Sequence, residues 1–167
     1  MFAPQLFRNR SGADDIRAHL TTCAASFTPP LDGRVAIPDY AAKLATSAER
    51  FEAWEGSTLI GLVAVYCNDP ARGRAFVTSV SVLPERMRAG LGRRLLEAAI
   101  AHVRGLGFAH LALCVDRSAA ALDLYRRLGF VADGAAGEAL QLSLDLGPPC
   151  PGTSADEPCR EARPRTR

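Results

Sequence analysis

Glycines and arginines crowd one short segment after an apolar strand, and this segment is where the sequence first indicates chemistry. Gly90-Leu91-Gly92 stands between strand-like residues that end at Val82 and a run with helical periodicity. The first-turn N–H groups of a helix have no internal partner, and the helix dipole favours an anion there. Glycines also let a phosphate approach the backbone closely, so the segment is typical of a phosphate site. For an isolated glycine pair, a purely structural turn is the alternative interpretation.

The elements before this turn are predicted to be two helices and an antiparallel meander of strands. Ser11 is predicted to cap a helix over 13–26, where apolar residues recur every three or four positions. Pro38 suits the first turn of a second helix over 38–48. Strands are predicted over 51–55, 58–66 and 75–82, with Gly56-Ser57 as a hairpin turn.

After the turn, the sequence predicts helices that alternate with strands. The helix that follows the glycines ends near Gly107, and a strand covers 110–115. The next helix has Asp116 or Ser118 as its cap and stops at Gly129, and a closing strand covers 139–144. This order of elements predicts an α/β (α+β) fold with a mixed sheet.

Composition predicts one soluble domain over 1–146, followed by a disordered tail over 147–167 to which we assign no fold or catalytic role. The net charge of +2 gives no indication of a nucleic-acid partner. The longest apolar stretch, 59–66, is far shorter than a membrane span, and no leader is visible, so a cytoplasmic protein is expected. The five cysteines have irregular spacings and predict no metal site; Cys67 and Cys114 are expected to be buried.

A second motif lies downstream and reads Ala121-x-x-Leu124-Tyr125-x-x-x-Gly129-Phe130. Together with the glycine turn it resembles the two signature motifs of the GNAT superfamily of N-acetyltransferases, over about 59–131. The resemblance implies the acyl-CoA N-acyltransferase fold, a mixed, largely antiparallel sheet flanked by helices. Two positions depart from the family pattern: Met87 stands where Arg or Gln is usual, and Ser118 where Asn is usual.

The resemblance implies an acetyl-CoA-dependent enzyme that transfers an acetyl group directly to a primary amine within a ternary complex. The backbone of the preceding strand would pair with the pantetheine arm, the glycine turn would hold the pyrophosphate, and Tyr125 would protonate the leaving thiolate. In these terms the expected cofactor-binding residues are Val80, Ser81, Val82, Arg88, Ala89, Gly90, Leu91, Gly92, Arg93 and Ser118.

The acceptor site and the general base are less defined by the sequence. By analogy with the family, Arg34 and Tyr40 are expected to line a site for a small polar amine, and a homodimer is possible. No carboxylate occurs in 75–82, so the base is a bound water chain, a side chain of the N-terminal helices, or absent. His19 and His102 are expected to be structural or exposed. The alternative function is a non-catalytic acyl-CoA-binding or regulatory module.

Overall fold

The computed structural model describes residues 3–147, so all of the predicted tail after Gly147 lies outside the described residues. Four α-helices and seven β-strands occur within that range. The helices are α1 (Ala13–Cys23), α2 (Ile37–Ser47), α3 (Leu91–Gly105) and α4 (Leu122–Arg127). The strands are β1 (Gln5–Arg8), β2 (Glu49–Glu55), β3 (Thr58–Tyr66), β4 (Arg74–Val82), β5 (His110–Asp116), β6 (Val131–Ala136) and β7 (Ala139–Asp145).

The strands form one mixed sheet in the order β1-β2-β3-β4-β5-β7-β6. β4 and β5 run parallel, whereas β1–β2, β2–β3, β5–β7 and β6–β7 are antiparallel. The predicted fold, a mixed and largely antiparallel sheet flanked by helices, is therefore confirmed. β1 and β6 were not predicted from the sequence.

The described residues divide into two compact units. The first contains residues 3–66 and 78–96, and the second contains residues 67–77 and 97–147. The boundary crosses β4 and α3, each of which contributes residues to both units. The expectation of one domain over 1–146 stays a prediction, and each unit is described separately below.

In the first unit, α1 and α2 pack against β3 through a buried apolar cluster. Ile16 and Leu20 of α1 and Leu44 of α2 are fully buried, and Leu62 of β3 lies in the same cluster. Their spacing along α1 is the four-residue interval that keeps side chains on one helix face. Each such leucine or isoleucine stabilises the fold by about 1.5–3 kcal/mol.

A buried charge network joins the start of α1 and the end of α2 to β2. Glu52 is fully buried and accepts hydrogen bonds from the backbone N–H groups of Arg10 and Ser11 and from Trp54 Nε1. Arg50 Nε lies 3.3 Å from Glu52 Oε2, and its terminal nitrogens donate to the carbonyl oxygens of Leu44, Ala45, Ala48 and Ser11. Arginine thus satisfies carbonyls that the end of α2 leaves without helical partners.

The prediction that Ser11 caps α1 is wrong. The N-cap is Gly12, whose N–H donates to Asp15 Oδ2 at 3.0 Å, and α1 ends at Cys23 before a short 3₁₀ turn over Ala24–Ser26. Ser11 instead donates its hydroxyl to the Glu52 carboxylate. A hydrogen bond to an ionised carboxylate is stronger than one between neutral groups. The Ser11 hydroxyl therefore binds Glu52 instead of the helix end.

In the second unit, β5 pairs with β7 along its full length, from His110–Asp145 to Asp116–Ala139. Leu111, Ala112 and Leu113 are buried in this strand. The prediction that Cys114 is buried is wrong. Cys114 is exposed because it follows the buried run of β5, at the point where the side chains of this strand become accessible. Cys67 is buried, as predicted.

Candidate active site

The glycine turn before α3 has a backbone that suits an anion. Gly90 has a φ of +80°, and a Cβ built on it would meet nothing within 4 Å. Arg94 N–H donates to Gly90 O at 3.0 Å, which makes Gly90 the N-cap and places the N–H groups of Leu91, Gly92 and Arg93 ahead of the first helical bond. The N–H groups of Leu91 and Gly92 therefore have no acceptor within the helix and can bind an anion.

The side chains around the turn differ in their availability. Arg88, Ala89 and Arg93 are exposed, whereas Leu91 is buried and anchors the start of α3. Arg88 has a φ of +67°, a left-handed conformation that is uncommon for a side chain other than glycine. Arg86 is different, because its guanidinium is paired with the Glu55 carboxylate of β2. The exposed arginines at the turn are Arg88, Arg93 and Arg94.

The end of β4 has the backbone that the family resemblance assigns to the pantetheine arm. The parallel ladder pairs Arg74–Val77 with His110–Leu113, and residues 78–82 of β4 follow its last pair. Val80 and Val82 are half-buried, and Ser81 is buried. An extended ligand can add to such a segment through main-chain hydrogen bonds in the manner of an extra strand.

Tyr125 lies in the last turn of α4. The hydrogen bonds that end this helix explain why the motif also contains Gly129 and Phe130. Phe130 N–H donates to Tyr125 O at 3.1 Å and Gly129 N–H donates to Arg126 O at 3.0 Å, the two bonds of a Schellman motif. Gly129 has the required positive φ, +104°. The Tyr125 and Phe130 rings pack edge to face with centroids 6.1 Å apart. Gly129 and Phe130 thus have a structural role that is independent of catalysis.

Burial also sets the protonation state of Tyr125. The side chain is 6% exposed, and burial raises its pKa to about 12 because the phenolate would lose its hydration. The hydroxyl is therefore protonated throughout the neutral range. This is the state in which a phenol can donate a proton.

Ser118 lies in the turn between β5 and α4. Its N–H and its hydroxyl both donate to Asp116 Oδ1, at 2.9 and 2.6 Å, and these bonds lower the pKa of Asp116. The N-cap of α4 is Ala121, without a side-chain cap, so the prediction that Asp116 or Ser118 caps this helix is wrong. The pair forms an Asx turn instead, which is the local alternative to capping. Ser118 is exposed, and its contact with the cofactor stays a prediction.

The two predicted acceptor residues lie near each other in the first unit. Tyr40 donates its hydroxyl to Thr78 O at 2.9 Å and lies 2.7 Å from Thr78 Oγ1, which ties α2 to β4. Burial raises the pKa of Tyr40, and the nearby Arg34 charge opposes this shift. Arg34 is exposed, with its guanidinium carbon 5.9 Å from the centroid of the Phe27 ring. The Tyr40 phenol is thus held beside β4, and the charge of Arg34 acts on it.

Comparison with known proteins identifies the family. The family model described as the acetyltransferase (GNAT) family matches residues 14–130. This chain belongs to the GNAT family. The resemblance noted from its two motifs is therefore confirmed, and the match includes both the glycine turn and the Tyr125 motif.

A curated acetyltransferase is similar in sequence to this GNAT chain. The chain is 35% identical over 131 residues to mycothiol acetyltransferase of Geodermatophilus obscurus, an alignment that covers 72% of this chain and 42% of that protein. The chain thus spans less than half the length of that relative.

Two solved structures share the fold of this GNAT chain. The ribosomal-protein-S18-alanine N-acetyltransferase of Escherichia coli has a TM-score of 0.70 at 21% identity, covering 91% of this chain and 99% of that one. The PaiA N-acetyltransferase of Thermoplasma acidophilum, solved in complex with coenzyme A, has a TM-score of 0.65 at 16% identity, covering 84% and 99%. At these identities the likeness shows the fold alone.

His19 is the residue whose environment the sequence did not reveal. It is 3% exposed, with Nδ1 3.0 Å from Leu59 O and Nε2 2.9 Å from Ser81 Oγ of β4. The helical spacing contains a signal, because position 19 is three residues after Ile16 and four before Cys23, and both are buried. It is therefore on the buried face of α1.

The described residues contain neither a metal-binding cluster nor a helix that spans a membrane. Within residues 3–147, no cluster of three or more histidine, cysteine, aspartate or glutamate side chains is arranged to hold a metal ion. Over the same range, every helix is too short or too polar to cross a bilayer.

Proposed function

We propose that this GNAT chain transfers the acetyl group of acetyl-CoA to a primary amine by direct attack in a ternary complex. The observation that best supports the proposal is the turn at Gly90. Its positive φ, the open space where a side chain would stand, and the N–H groups of Leu91 and Gly92 at the start of α3 fit a pyrophosphate. Arg88 and Arg93, both exposed, add positive charge beside it.

The remaining cofactor contacts lie along the end of β4 and in the turn after β5. The main chain of Val80, Ser81 and Val82 pairs with the pantetheine arm, since these residues follow the end of the β4–β5 ladder. Ala89, Leu91 and Gly92 contribute backbone groups to the phosphate site. Ser118 contacts the pantetheine with the exposed side of its turn.

In the transfer step, the amine nitrogen attacks the thioester carbonyl carbon, a bond from carbon to nitrogen forms, and the bond from carbon to sulfur breaks. Tyr125 gives its phenolic proton to the departing sulfur, because it is fully protonated at neutral pH, and regains a proton from water. The attacking nitrogen gives up one proton to a base. Backbone N–H groups of β4 polarise the carbonyl oxygen. The enzyme's main contribution is the positioning of the two substrates.

The acceptor is a small polar amine that also has an anionic group. Support comes from Arg34, an exposed cation whose charge lies near the Tyr40 hydroxyl. A guanidinium can bind a carboxylate or phosphate through two parallel hydrogen bonds, while the phenol contributes a polar contact. This pair orients the acceptor beside β4, the strand to which Tyr40 is hydrogen-bonded.

Calorimetric titration with acetyl-CoA tests the cofactor site directly. Gly90→Glu places a negative side chain at the phosphate turn and is expected to abolish binding. Gly137→Glu is the matched control, because Gly137 also has a positive φ, +61°, and open space around it. Binding by the parent and the control but not by Gly90→Glu supports the proposal. A folded parent that does not bind acetyl-CoA refutes it.

Tyr125→Phe separates an enzyme from a non-catalytic acyl-CoA-binding module. The substitution keeps the ring that packs on Phe130 and removes the proton donor. We expect turnover on a panel of free amino acids, amino sugar phosphates and nucleotide-linked amino sugars to fall about 100-fold or more, with acetyl-CoA affinity retained. Binding without turnover on any amine, by the parent itself, favours the non-catalytic module.

A further inference from the structure

His19 joins three segments of the first unit at a buried point. It extends from α1, and its ring lies between the carbonyl of Leu59 at the start of β3 and the hydroxyl of Ser81 near the end of β4. Both ring nitrogens are within 3.0 Å of an oxygen atom. Ser81 belongs to the strand that the proposed function assigns to the cofactor, so the ring contacts that strand directly.

The partners of the ring fix its tautomer. Leu59 O can only accept a hydrogen bond, so Nδ1 carries the proton and donates it. In the neutral ring Nε2 is then an acceptor, and the Ser81 hydroxyl donates to it across 2.9 Å. The lone pair of His19 is therefore directed at Ser81.

The same contacts also accommodate the protonated ring. Leu59 O still accepts from Nδ1, and Ser81 Oγ can rotate its hydrogen away and accept from Nε2. Both nitrogens remain hydrogen-bonded in both states, so a proton can move from Ser81 to His19 without leaving either ring nitrogen unsatisfied. This reversal is what a proton relay requires.

A cleft gives the ring a route to solvent. The cleft has a volume of about 350 Å³ and is lined by His19, by Asp15, Ala18 and Thr22 of α1, by Ser57, Thr58 and Leu59, and by Leu83 and Glu85 after β4. Glu85 and Asp15 are the two carboxylates that line it. They can attract a proton that leaves the imidazolium and pass it to water.

The other titratable group beside the ring is unsuited to this role. Cys23 Sγ is 3.7 Å from His19 Nε2, but burial and the Glu85 charge raise the pKa of the thiol to about 11. The thiol therefore stays protonated at neutral pH and is neither a nucleophile nor a base. Burial lowers the pKa of His19, so the imidazole is neutral there and able to accept a proton.

We propose that His19 is the proton acceptor of the acetyl transfer, that Ser81 relays the proton to it, and that the cleft between α1 and Glu85 releases the proton to water. This proposal rests on the proposed function. As the amine forms its bond to the acetyl carbon, its proton passes to Ser81 Oγ while the hydroxyl proton of Ser81 passes to His19 Nε2. Water in the cleft, which His19 and Leu59 line, then takes one proton from the imidazolium and restores the neutral ring. Tyr125 separately protonates the thiolate and regains its own proton from water.

The test measures coenzyme A released from acetyl-CoA, by chromatography, with water alone and with the best amine of the panel. His19→Gln and Ser81→Ala are each expected to lower kcat about 100-fold, with acetyl-CoA affinity within about 2-fold of the parent. With water as the acceptor no ammonium titrates, so a decline in the parent's kcat below about pH 6.5 reports the enzyme's own base. Both variants should lose that decline.

His110→Gln is the matched control, since His110 is an exposed histidine at the start of β5. It should retain the parent's rate and pH profile. If His19→Gln does not fold, the kcat of Ser81→Ala and the pH dependence of the parent's kcat still test the relay. Unchanged turnover in the variants, or a loss of rate in which the acidic decline persists, overturns the relay alone. A parent that binds acetyl-CoA but shows no turnover with water or any amine overturns the proposed function as well.

Discussion

Replacement of Glu52 by glutamine is expected to destabilise the fold strongly, because this carboxylate compensates a buried guanidinium. Glu52 is 0% exposed and accepts bonds from Arg10, Ser11, Trp54 and Arg50. An amide keeps the shape but removes the charge and turns an NH₂ group toward donors. Breaking one partner of a buried ion pair costs about 3–5 kcal/mol. For a domain of this size that corresponds to a fall in Tm of about 6–20 °C.

Urea denaturation of the parent and two variants measures this cost. Glu49→Gln makes the same chemical change on the same strand, but Glu49 Oε1 lies 3.9 Å from Nε of an exposed arginine, Arg8. This substitution should therefore lower the free energy of unfolding by about 1 kcal/mol or less. The Glu52 effect should also persist in high salt, since a buried pair is poorly screened. Equal losses for the two variants would show that the network contributes no more than an exposed pair, and the reasoning would be refuted.

Two further predictions concern pH and backbone conformation. Burial lowers the pKa of His19 below 6.5, so as the pH falls the unfolded chain binds a proton at this histidine before the folded chain does. The parent should therefore lose stability below about pH 6.5, by at most about 1.4 kcal/mol per pH unit. Denaturation at pH 7.5 and 5.5 should show a smaller difference for His19→Gln, and an equal difference would contradict it. Gly129→Ala should cost about 1–3 kcal/mol, because φ is +104° and the new Cβ would lie 3.2 Å from Leu144 Cδ1. Gly105→Ala, at the open helical end of α3, should not lower Tm and serves as its control.

Most of the fold could be predicted because its elements have strong local signals. The apolar periodicity of α1, the glycines before α3 and the hairpin at Gly56-Ser57 each follow from neighbouring residues. β1 and β6 have no such signal: all four residues of β1 are exposed, and β6 contains Gly134 beside a shift in its register with β7. Edge strands of this kind are determined by the partner strand, which a local pattern does not contain.

The candidate site was predictable only where its residues belong to a motif. Gly90 and Tyr125 could be proposed from their resemblance to the family's motifs, but the contact between His19 and Ser81 joins positions 62 residues apart. The Glu52 network likewise depends on Ser11, 41 residues away, whose hydroxyl looks like a helix cap in the sequence. Long-range hydrogen bonds of polar side chains are specified by packing, so no local rule reveals them.

The Schellman motif at the end of α4 changes what a match to the second signature means. Gly129 and Phe130 are required to terminate the helix, and the aromatic ring at position 125 is required to pack on Phe130. A phenylalanine there would meet both demands. Selection for folding alone can therefore preserve this signature in a descendant that has lost catalysis. When such sequences are sorted into enzymes and inactive relatives, the informative feature is the phenolic oxygen at position 125.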